Sequence, residues 1–372
     1  MAQTRTGSKP GCEKMSNWDV EADFFTRQPH GFTRRTMRVL IHEYFCCGGL
    51  AGRPLDSGLL AEGGGMLRGL VEDFHAARQD VTAVLDSRVP IRLPGRVVAS
   101  NATSPGQALD AFDAVLATVD AALVVAPETD DLLPALLERV ERAGVINLGS
   151  ASAAVRFVSN KHALAQRLSV AGIAVPSGAM GLDHAHSMLE QFGAIVMKPN
   201  RGAGCIDTHV CRSRADLASL PHRTDWLVQE HVQGIAASAA FILQRSGRPI
   251  PLRAGLQSVG IERDSEAGRL AYSGGQLPLG SDLESRAIGL GLAALEHMTG
   301  LHGYVGIDLI LGDRPEQDTL IEINARPTVA YAGLRRLARF NIADLMVGNP
   351  VRVEWQPGVV RYQADGSCQT VL

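Results

Sequence analysis

Two segments in the second half of the chain place acidic and amide side chains among apolar residues. Residues 304–310 contain Asp308, and residues 320–327 contain Glu322 and Asn324. Both segments are predicted to be buried strands, in which alternate side chains face the same way, so Glu322 and Asn324 share a face while the intervening isoleucine packs. A carboxylate on an apolar strand costs free energy unless a cation neutralises it, and oxygen ligands suit a hard cation. The pattern therefore predicts that these three side chains bind Mg²⁺, or Mn²⁺ in its place, together with phosphates.

The same acids have a simpler explanation. Asp308 and Glu322 would then lie near strand ends and pair with Arg326 or another surface cation, since ion pairs outnumber metal sites in proteins. The rest of the chain has to decide between a metal site and a surface ion pair.

A lysine and a glycine-rich loop follow one another near the middle of the chain. Lys198 ends an apolar strand, and the loop after it contains Gly202, Ala203 and Gly204. Glycines allow backbone amides to close over phosphate oxygens. The order differs from Walker A and from G-x-G-x-x-G, because the lysine comes before the glycines. The loop is a candidate phosphate cradle, with an ordinary glycine-rich hairpin as the alternative.

A second lysine and a polar segment flank this loop in the sequence. Lys161 follows Ser159 and Asn160, a predicted helix N-cap, where the helix dipole favours anions, although a surface lysine would look the same. Residues 229–234 carry polar side chains after an apolar strand and end in a glycine. Such a segment is typical of a hinge between two lobes.

Composition excludes several classes of protein. The 372 residues are 45% hydrophobic and 20% charged, and the formal net charge of −3 gives no basis for binding nucleic acid. No apolar stretch is long enough to span a bilayer, and the N-terminus lacks the apolar centre of a signal peptide. We expect a cytoplasmic protein that binds small molecules and neither nucleic acid nor membrane. A homodimer is left open.

The six cysteines show neither a disulfide framework nor a paired zinc spacing. Cys46 and Cys47 lie beside Gly48 and Gly49, and adjacent cysteines lack the usual spacing of metal ligands. We therefore expect a loop with reduced thiols there, in place of a reactive or metal site.

Apolar runs alternate with amphipathic helices from Met37 onward, which is typical of parallel βαβ units. The residues before Met37 are polar and aperiodic, and we expect them to be disordered. Met37 as the native first residue is an alternative hypothesis, which mass spectrometry of the N-terminus would test. The predicted strands are 37–44, 81–85, 121–126, 145–148, 194–199, 226–231, 238–243, 304–311 and 319–324, and the predicted helices are 59–77, 131–143, 161–171 and 282–299.

In their order and spacing, the segments from Ser159 to Pro327 resemble the ATP-grasp superfamily. The resemblance implies an α/β fold in which two α+β lobes hold ATP, preceded by a parallel α/β pre-ATP-grasp domain. The implied divisions are a disordered extension (1–36), a pre-ATP-grasp substrate domain (37–154), a small lobe (155–228), a large lobe with the magnesium site (229–348) and a C-terminal tail (349–372).

The resemblance also implies roles for the individual side chains. Asp308, Glu322 and Asn324 would hold the magnesium ion, and Arg326 would lie beside the transferred phosphate or the substrate. Arg326 and Lys198 are thus the predicted catalytic residues. The predicted ATP contacts are the lysines, the mobile loop and the adenine-binding hinge: Lys161, Lys198, Gly202, Ala203, Gly204, Gln229, Glu230, His231 and Val232.

One departure from the superfamily concerns the ribose. Its members usually carry a glutamate shortly after the hinge to hold the ribose hydroxyls, whereas residues 235–238 read Ile-Ala-Ala-Ser. Nucleotide preference is therefore open. The metal ligands and both lysines are nevertheless present, so we expect an active enzyme.

The first domain resembles that of the tyramine:glutamate ligases of methanofuran-type cofactor synthesis. The resemblance rests on four short segments: 42–45, 60–67, 85–88 and 126–130. Within them, Glu43, Glu62 and Glu128 fall at predicted strand ends or helix starts, where open α/β sheets bind ligands. Each alone could be a helix-start or solvated surface charge. Together they are predicted to hold the ammonium group of an amine substrate.

These resemblances imply carboxylate–amine ligation, in which ATP phosphorylates a carboxylate and an amine attacks the acyl phosphate. The expected reaction is γ-glutamyl transfer to tyramine. One alternative is an ATP-grasp ligase for another amino acid and amine, and another is a nucleotide-binding regulator without turnover. A dehydrogenase built on Gly48 and Gly49 would lack the third glycine of its fingerprint.

Overall fold

The computed structural model of the protein describes residues 36–202, 204–262 and 268–371. The predicted extension at residues 1–36 lies outside the described residues apart from Thr36, and so does Ala203 of the predicted phosphate loop. The described chain forms three β-sheets with helices packed against them. None of its helices is long and apolar enough to cross a membrane.

The first sheet is parallel, and its central strands are buried. Its strands are β1 (Arg38–Glu43), β2 (Asp80–Asp86), β3 (Arg96–Ser100), β4 (Ala121–Val125) and β5 (Ile146–Asn147). They lie in the order β3-β2-β1-β4-β5, so the chain winds outward first on one side of β1 and then on the other. Such a reversal opens a crevice at the carboxyl ends of β1 and β4, where open α/β sheets bind ligands.

Four helices cover or follow this sheet: α1 (Ser57–Ala76), α2 (Pro105–Leu116), α3 (Leu132–Arg142) and α4 (Ser152–Val158). Helix α1 begins where the Asp56 side chain accepts a hydrogen bond from the Leu59 backbone amide. It buries Leu67, Leu70 and Phe74 completely. The first turns of α1 therefore lie against the carboxyl end of β1, where Gly63 approaches Glu43.

The second sheet is small and antiparallel. Its strands are β6 (Gly178–Met180), β7 (Ile195–Pro199), β8 (His209–Cys211) and β9 (Trp226–Glu230), in the order β6-β9-β7-β8. Its helices are α5 (Lys161–Val170), α6 (Ala185–Phe192) and α7 (Arg214–Ser219). Ile195, Met197 and Trp226 are fully buried in a separate core with α6.

The third sheet has seven antiparallel strands in the order β14-β13-β10-β11-β12-β15-β16. The strands are β10 (Ile235–Leu243), β11 (Ile250–Ile261), β12 (Leu270–Leu277), β13 (Gly303–Leu311), β14 (Thr319–Asn324), β15 (Val359–Gln363) and β16 (Cys368–Val371). The helices α8 (Ser281–Leu295), α9 (Ala330–Leu337) and α10 (Ile342–Met346) accompany it. Its core is continuous with that of the first sheet, since buried residues of both sheets share two clusters.

The predicted α/β class is confirmed, and each predicted strand and helix overlaps an observed one. The sequence reasoning missed seven strands, most of them short or polar: β3, β6, β8, β11, β12, β15 and β16, of which the last two form a hairpin. The hairpin lies in the segment after Pro350, to which the pattern assigned no element. Its strands are only five and four residues long, too short for a period-2 pattern to stand out.

Candidate functional site

Strands β13 and β14 bring the three predicted metal ligands together. Their register sets Asp308 opposite Glu322 and Gly306 opposite Asn324. Asp308 accepts hydrogen bonds from Gln257 Nε2 at 2.7 Å and from Asn324 Nδ2 at 2.9 Å. Two carboxylates and two amides therefore form one polar cluster on an otherwise apolar pair of strands.

The electrostatics of this cluster favour a bound cation. Burial and the neighbouring Glu322 raise the pKa of Asp308. Burial also acts to raise the pKa of Glu322, but Lys161 and Lys198 outweigh it and lower that pKa. The lysines stabilise the ionised form of Glu322, but ionising the adjacent Asp308 as well remains costly. A further cation would reduce that cost.

Magnesium fits this donor set. Asp308, Glu322 and Asn324 supply only oxygen ligands, as a hard cation requires, and the ion usually completes its shell with substrate phosphates. Within the described ranges, no three His, Cys, Asp or Glu side chains gather as a metal site. The protein would hold the ion with two carboxylates and one amide oxygen.

Lys161 joins three parts of the site. It is the first residue of α5, whose N-cap residue Asn160 accepts a hydrogen bond from the Ala163 backbone amide. Its Nζ lies 3.2 Å from Glu322 Oε2 and donates to the Gly202 carbonyl oxygen at 2.7 Å. The ammonium group thus lies between the N-terminus of α5, the glycine loop and the metal strand β14, which carries Glu322 and Asn324.

Lys198 supplies a second ammonium group from the end of β7. It is 7% exposed, and burial lowers its pKa to about 8, with Lys161 adding to the effect and Glu322 opposing it. A buried ammonium beside another one is stabilised by an anion. The two lysines therefore form a site for phosphate oxygens.

The glycine loop is fastened where it begins. The Asn200 carbonyl oxygen accepts from the Lys161 backbone amide at 3.1 Å, and its Oδ1 accepts from the His162 amide at 2.9 Å. Asn200 Nδ2 donates to Asn160 Oδ1 at 3.0 Å. Gly204 has a φ of +62°, which suits glycine. The sequence pattern did not reveal that Asn200 anchors the loop on α5.

The predicted hinge leaves the small sheet at the end of β9. Gln229 is buried, and the Glu230 backbone amide donates to the Ser177 carbonyl oxygen at 2.9 Å. The His231 amide donates to the Ala194 carbonyl oxygen at 3.1 Å. Val232 is half-buried and begins the connection to β10. Gln229 and Glu230 thus end β9 in the small sheet, and His231 and Val232 begin the connection to β10 of the third sheet.

Arg326 connects the third sheet to the first. It follows β14 by two residues, and its guanidinium binds Glu128 twice, Nε to Oε1 at 2.9 Å and Nη2 to Oε2 at 3.1 Å. The two side chains are 11% and 5% exposed. Bidentate pairs of this kind are strong and directional. Glu128 follows β4 by three residues, so the pair spans the crevice.

The other two predicted substrate carboxylates lie on the same side of the crevice. Glu43 ends β1 and is 1% exposed, and its oxygens accept from the Cys46 amide at 2.9 Å and the Phe45 amide at 3.3 Å. Glu62 lies on α1 and is half-buried. Its charge affects the pKa of both Glu43 and Arg326, so the acids form one electrostatic group.

Tyr272 of β12 closes this group from the third sheet. Burial raises the pKa of its hydroxyl, and the charges of Asp308 and Glu62 add to the effect. The Tyr272 hydroxyl is thus subject to the charges of both Asp308 and Glu62. Sequence reasoning missed Tyr272 and Gln257, because both lie on strands that it did not detect.

Cys46 and Cys47 are buried free thiols in a tight turn at residues 45–49. Burial raises the pKa of both, with the charge of Glu43 adding to it. The thiolate form that nucleophilic or metal-binding cysteines need is thus disfavoured.

Two models of known domain families match this chain. Residues 158–330 match the model of the ATP-grasp domain, and residues 79–155 match that of the pre ATP-grasp 3 domain. Together the two models cover about two thirds of the chain.

Individual proteins show more distant similarity. The tyramine--L-glutamate ligase of Methanocaldococcus jannaschii is 26% identical over 231 residues, which are 62% of this chain and 63% of that protein. The chain thus matches less than two thirds of that relative's length. A solved ATP-grasp superfamily protein from Archaeoglobus fulgidus is 23% identical with a TM-score of 0.65, covering 88% of this chain and 92% of its own.

An L-amino acid ligase from Bacillus licheniformis has a similar fold, with a TM-score of 0.63 and 15% identity over 89% of this chain and 80% of its own. At these identities the solved structures speak for the fold alone. The two family models match the chain, and the fold agrees with them, since a parallel sheet is followed by two antiparallel sheets. The lysines and acids of the site meet between the antiparallel sheets. The chain therefore belongs to the ATP-grasp superfamily, with a pre-ATP-grasp domain ahead of the ATP-grasp domain.

Proposed function

We propose that the protein is an ATP-dependent carboxylate–amine ligase that forms an amide through an acyl phosphate. The observation that supports this most directly is the meeting of Lys161 and Lys198 with the paired carboxylates Asp308 and Glu322 beneath the glycine loop. In this proposal residues 155–228 and 229–348 hold ATP, and residues 37–154 provide much of the substrate site.

The lysines would neutralise the charge of the transferred phosphoryl group, which is the main task of a phosphoryl-transfer site. Lys161 now donates to the Gly202 carbonyl oxygen and lies beside Glu322, and a phosphate oxygen can replace either partner. Magnesium held by Asp308, Glu322 and Asn324 would supply further positive charge there. Phosphoryl transfer of this kind needs positioning and charge, and no nucleophilic side chain takes part.

Water competes with the amine for an acyl phosphate. The loop that contains Gly202 and Gly204 would close over the phosphates and exclude it, as active-site lids do. Its start is fixed by Asn200, so the loop would move about a fixed point on α5.

The substrates that we propose are glutamate, phosphorylated on its side-chain carboxylate, and tyramine, in methanofuran-type cofactor synthesis. The support is the name of the relative from Methanocaldococcus jannaschii, a tyramine--L-glutamate ligase. Arg326 follows β14 by two residues, and Glu128 accepts from its Nε and Nη2, so its remaining N–H groups would bind a substrate carboxylate.

The first experiment is phosphate release from Mg-ATP and glutamate, with and without tyramine, followed by mass analysis of the product. We expect tyramine-dependent release and the mass of glutamyl-tyramine. Phosphate release with a different acid and amine would support the ligase proposal and show that the substrates are others. ATP binding without release for any pair would favour the nucleotide-binding regulator, an alternative that the missing ribose glutamate keeps open.

Glu322→Ala tests the metal site. Removing this carboxylate takes away a magnesium ligand and the partner of Lys161, so we expect phosphate release to fall about 100-fold or more. Asp313→Ala, which removes an exposed acid just after β13, is the matched control and should release phosphate like the unmodified protein. Equal rates for all three proteins would contradict the proposed metal site.

A further inference from the structure

The three acids of the crevice differ in how their charge is compensated. Glu43 is turned inward, since both of its oxygens accept backbone hydrogen bonds. Gly63 of α1 lies directly against it, so close that a side chain there would overlap the carboxylate. Both Glu43 oxygens are therefore engaged by the backbone, and the residue is 1% exposed.

Glu128 is also fully engaged. Both of its oxygens accept from Arg326, and the pair is almost completely buried. A substrate ammonium would have to break two charge-assisted hydrogen bonds to reach this carboxylate. Glu128 thus neutralises Arg326 and has no free oxygen to offer a cation at low cost.

Glu62 is different. Among the residues that the structure describes, no hydrogen bond or ion pair is recorded for its carboxylate. It is half-buried on α1, one residue before Gly63, and its charge affects the pKa of Arg326, Glu43 and Tyr272. The next residue, Gly63, lies against Glu43 at the end of β1, so Glu62 is on the turn of α1 that faces this end of the first sheet.

The remaining charge in this part of the crevice is negative. Glu128 compensates Arg326, and the backbone amides stabilise Glu43, whereas among the described residues Glu62 has no hydrogen bond or ion pair and is affected only by the charge of Arg326, which already pairs with Glu128. A half-buried carboxylate without a partner is costly, and a cation that donates hydrogen bonds stabilises it. The ammonium group of an amine is such a cation.

We infer that Glu62 binds the ammonium group of the amine substrate and accepts its proton before the amine attacks. This inference rests on the proposed ligase function and assigns the amine subsite to one side chain. Arg326, which follows β14 of the third sheet, would face the acid substrate.

The step balances without any further reactant. The ammonium group gives one proton to the Glu62 carboxylate, and the freed nitrogen lone pair attacks the carbonyl carbon of the acyl phosphate. The C–N bond forms, the bond between that carbon and the phosphate oxygen breaks, and phosphate leaves with the electron pair. The leaving phosphate takes the second nitrogen proton, and Glu62 returns the first to solvent.

The surroundings of Glu62 suit a proton acceptor. Burial raises its pKa above that of an exposed glutamate, with Arg326 opposing the effect. A base whose pKa is closer to neutral accepts a proton from an ammonium group more readily.

The test compares a cationic amine with hydroxylamine. Hydroxylamine is small and uncharged at neutral pH, and it traps an acyl phosphate as a hydroxamate without needing an ammonium subsite or a base. The proteins are the unmodified enzyme, Glu62→Gln and the control Glu72→Gln, which removes an acid from the same helix three turns away. Each is assayed with Mg-ATP and glutamate, against hydroxylamine and against a panel of primary amines that includes tyramine.

For Glu62→Gln we expect amide formation to fall about 100-fold or more, as for the loss of a general base. Hydroxamate formation should stay close to that of the unmodified enzyme, which also shows that the variant is folded and still uses ATP. Glu72→Gln should match the unmodified enzyme in both assays.

Other outcomes overturn one claim or the other. If the unmodified enzyme forms no hydroxamate, the acyl phosphate and with it the proposed function fail. If Glu62→Gln loses both products equally, or keeps amide formation, Glu62 is not the amine subsite although the ligase stands. Hydroxamate from the unmodified enzyme without an amide from any amine would also overturn the assignment of Glu62.

Discussion

Glu43 shows how burial alone can change the chemistry of a carboxyl group. It is 1% exposed at the end of β1, and burial raises its pKa to about 7, although hydrogen bonds from the Cys46 and Phe45 amides act in the opposite direction. At neutral pH the group is thus divided between its protonated and ionised forms. The same position in a solvated strand end would carry a full negative charge.

This pKa predicts a pH dependence of stability. The folded pKa of about 7 lies above the ordinary value of 4.5, so the folded state binds the proton more tightly. The contribution of Glu43 to the free energy of unfolding is complete below pH 4.5 and is lost as the pH rises through 7, by about 3 kcal/mol. Glu43→Gln should remove this decline.

Urea unfolding between pH 4.5 and pH 8 checks the prediction. The free energy of unfolding of Glu43→Gln should rise relative to that of the unmodified protein across this range. Glu296→Gln, which changes an exposed acid at the end of α8, should give a constant difference. Parallel curves for Glu43→Gln and the unmodified protein would show that the carboxyl group ionises at its ordinary pH.

At the scale of single elements, helix α1 owes its position to three consecutive glycines. Each glycine inside a helix costs about 1 kcal/mol relative to alanine. Gly63 lies against Glu43, Gly64 against Ile91, and Gly65 against the backbone of the C-terminal hairpin, each too close for a methyl group. The glycines thus let three other parts of the chain approach one turn of the helix.

Gly63→Ala should destabilise the protein by about 1 to 3 kcal/mol, because the methyl group overlaps the Glu43 carboxylate and outweighs the gain in helix propensity. Gly69→Ala is the matched control on the same helix, since its methyl group would meet Arg335 Cδ at an ordinary 3.4 Å. That variant should be neutral or more stable by up to about 1 kcal/mol. Thermal and urea unfolding measure both, and equal effects would contradict the proposed close approach.

At the scale of the whole molecule, the C-terminal hairpin fastens the third sheet to α1. Strand β15 pairs with β12, and the ring of Tyr362 packs between Gly275 of β12 and Gly333 of α9. A cavity of about 420 Å³ remains between the hairpin, α1 and α9, away from the proposed active site. The last strands of the chain are therefore part of the core.

Tyr362→Ala should lower the free energy of unfolding by about 3 kcal/mol or more, because it empties a site in which the side chain is 2% exposed. Gln369→Ala on the neighbouring strand β16 removes an exposed side chain and should change stability by less than about 0.5 kcal/mol. Urea unfolding of the two variants makes the comparison. A small effect of Tyr362→Ala would mean that the hairpin detaches without loss of the core.

The sequence predicted those site residues whose signal is local. Asp308, Glu322 and Lys198 interrupt apolar strands, and that contrast is visible within a few residues. Gln257 and Tyr272 lie on strands β11 and β12, where glycine and polar residues dilute the alternation that marks a strand. No local pattern could therefore have placed them beside Asp308.

The carboxylates of the crevice show a second limit. Glu43, Glu62 and Glu128 look equivalent in the sequence, since each follows or begins a predicted element. Glu128 differs from the other two through a partner that is distant in the chain, Arg326, which is 198 positions away. Long-range pairing of this kind depends on how two sheets meet, and hydrophobic periodicity does not contain that information.

The pairing of Glu128 with Arg326 also has a consequence for how this chain can evolve. Replacing one partner alone leaves a buried charge without compensation, which typically costs about 3 to 5 kcal/mol. A lineage that loses either charge should therefore lose or reverse the other soon afterwards. We expect the two positions to vary together among descendants of a common ancestor, so that they form an inherited pair although one lies in each of the two matched domains.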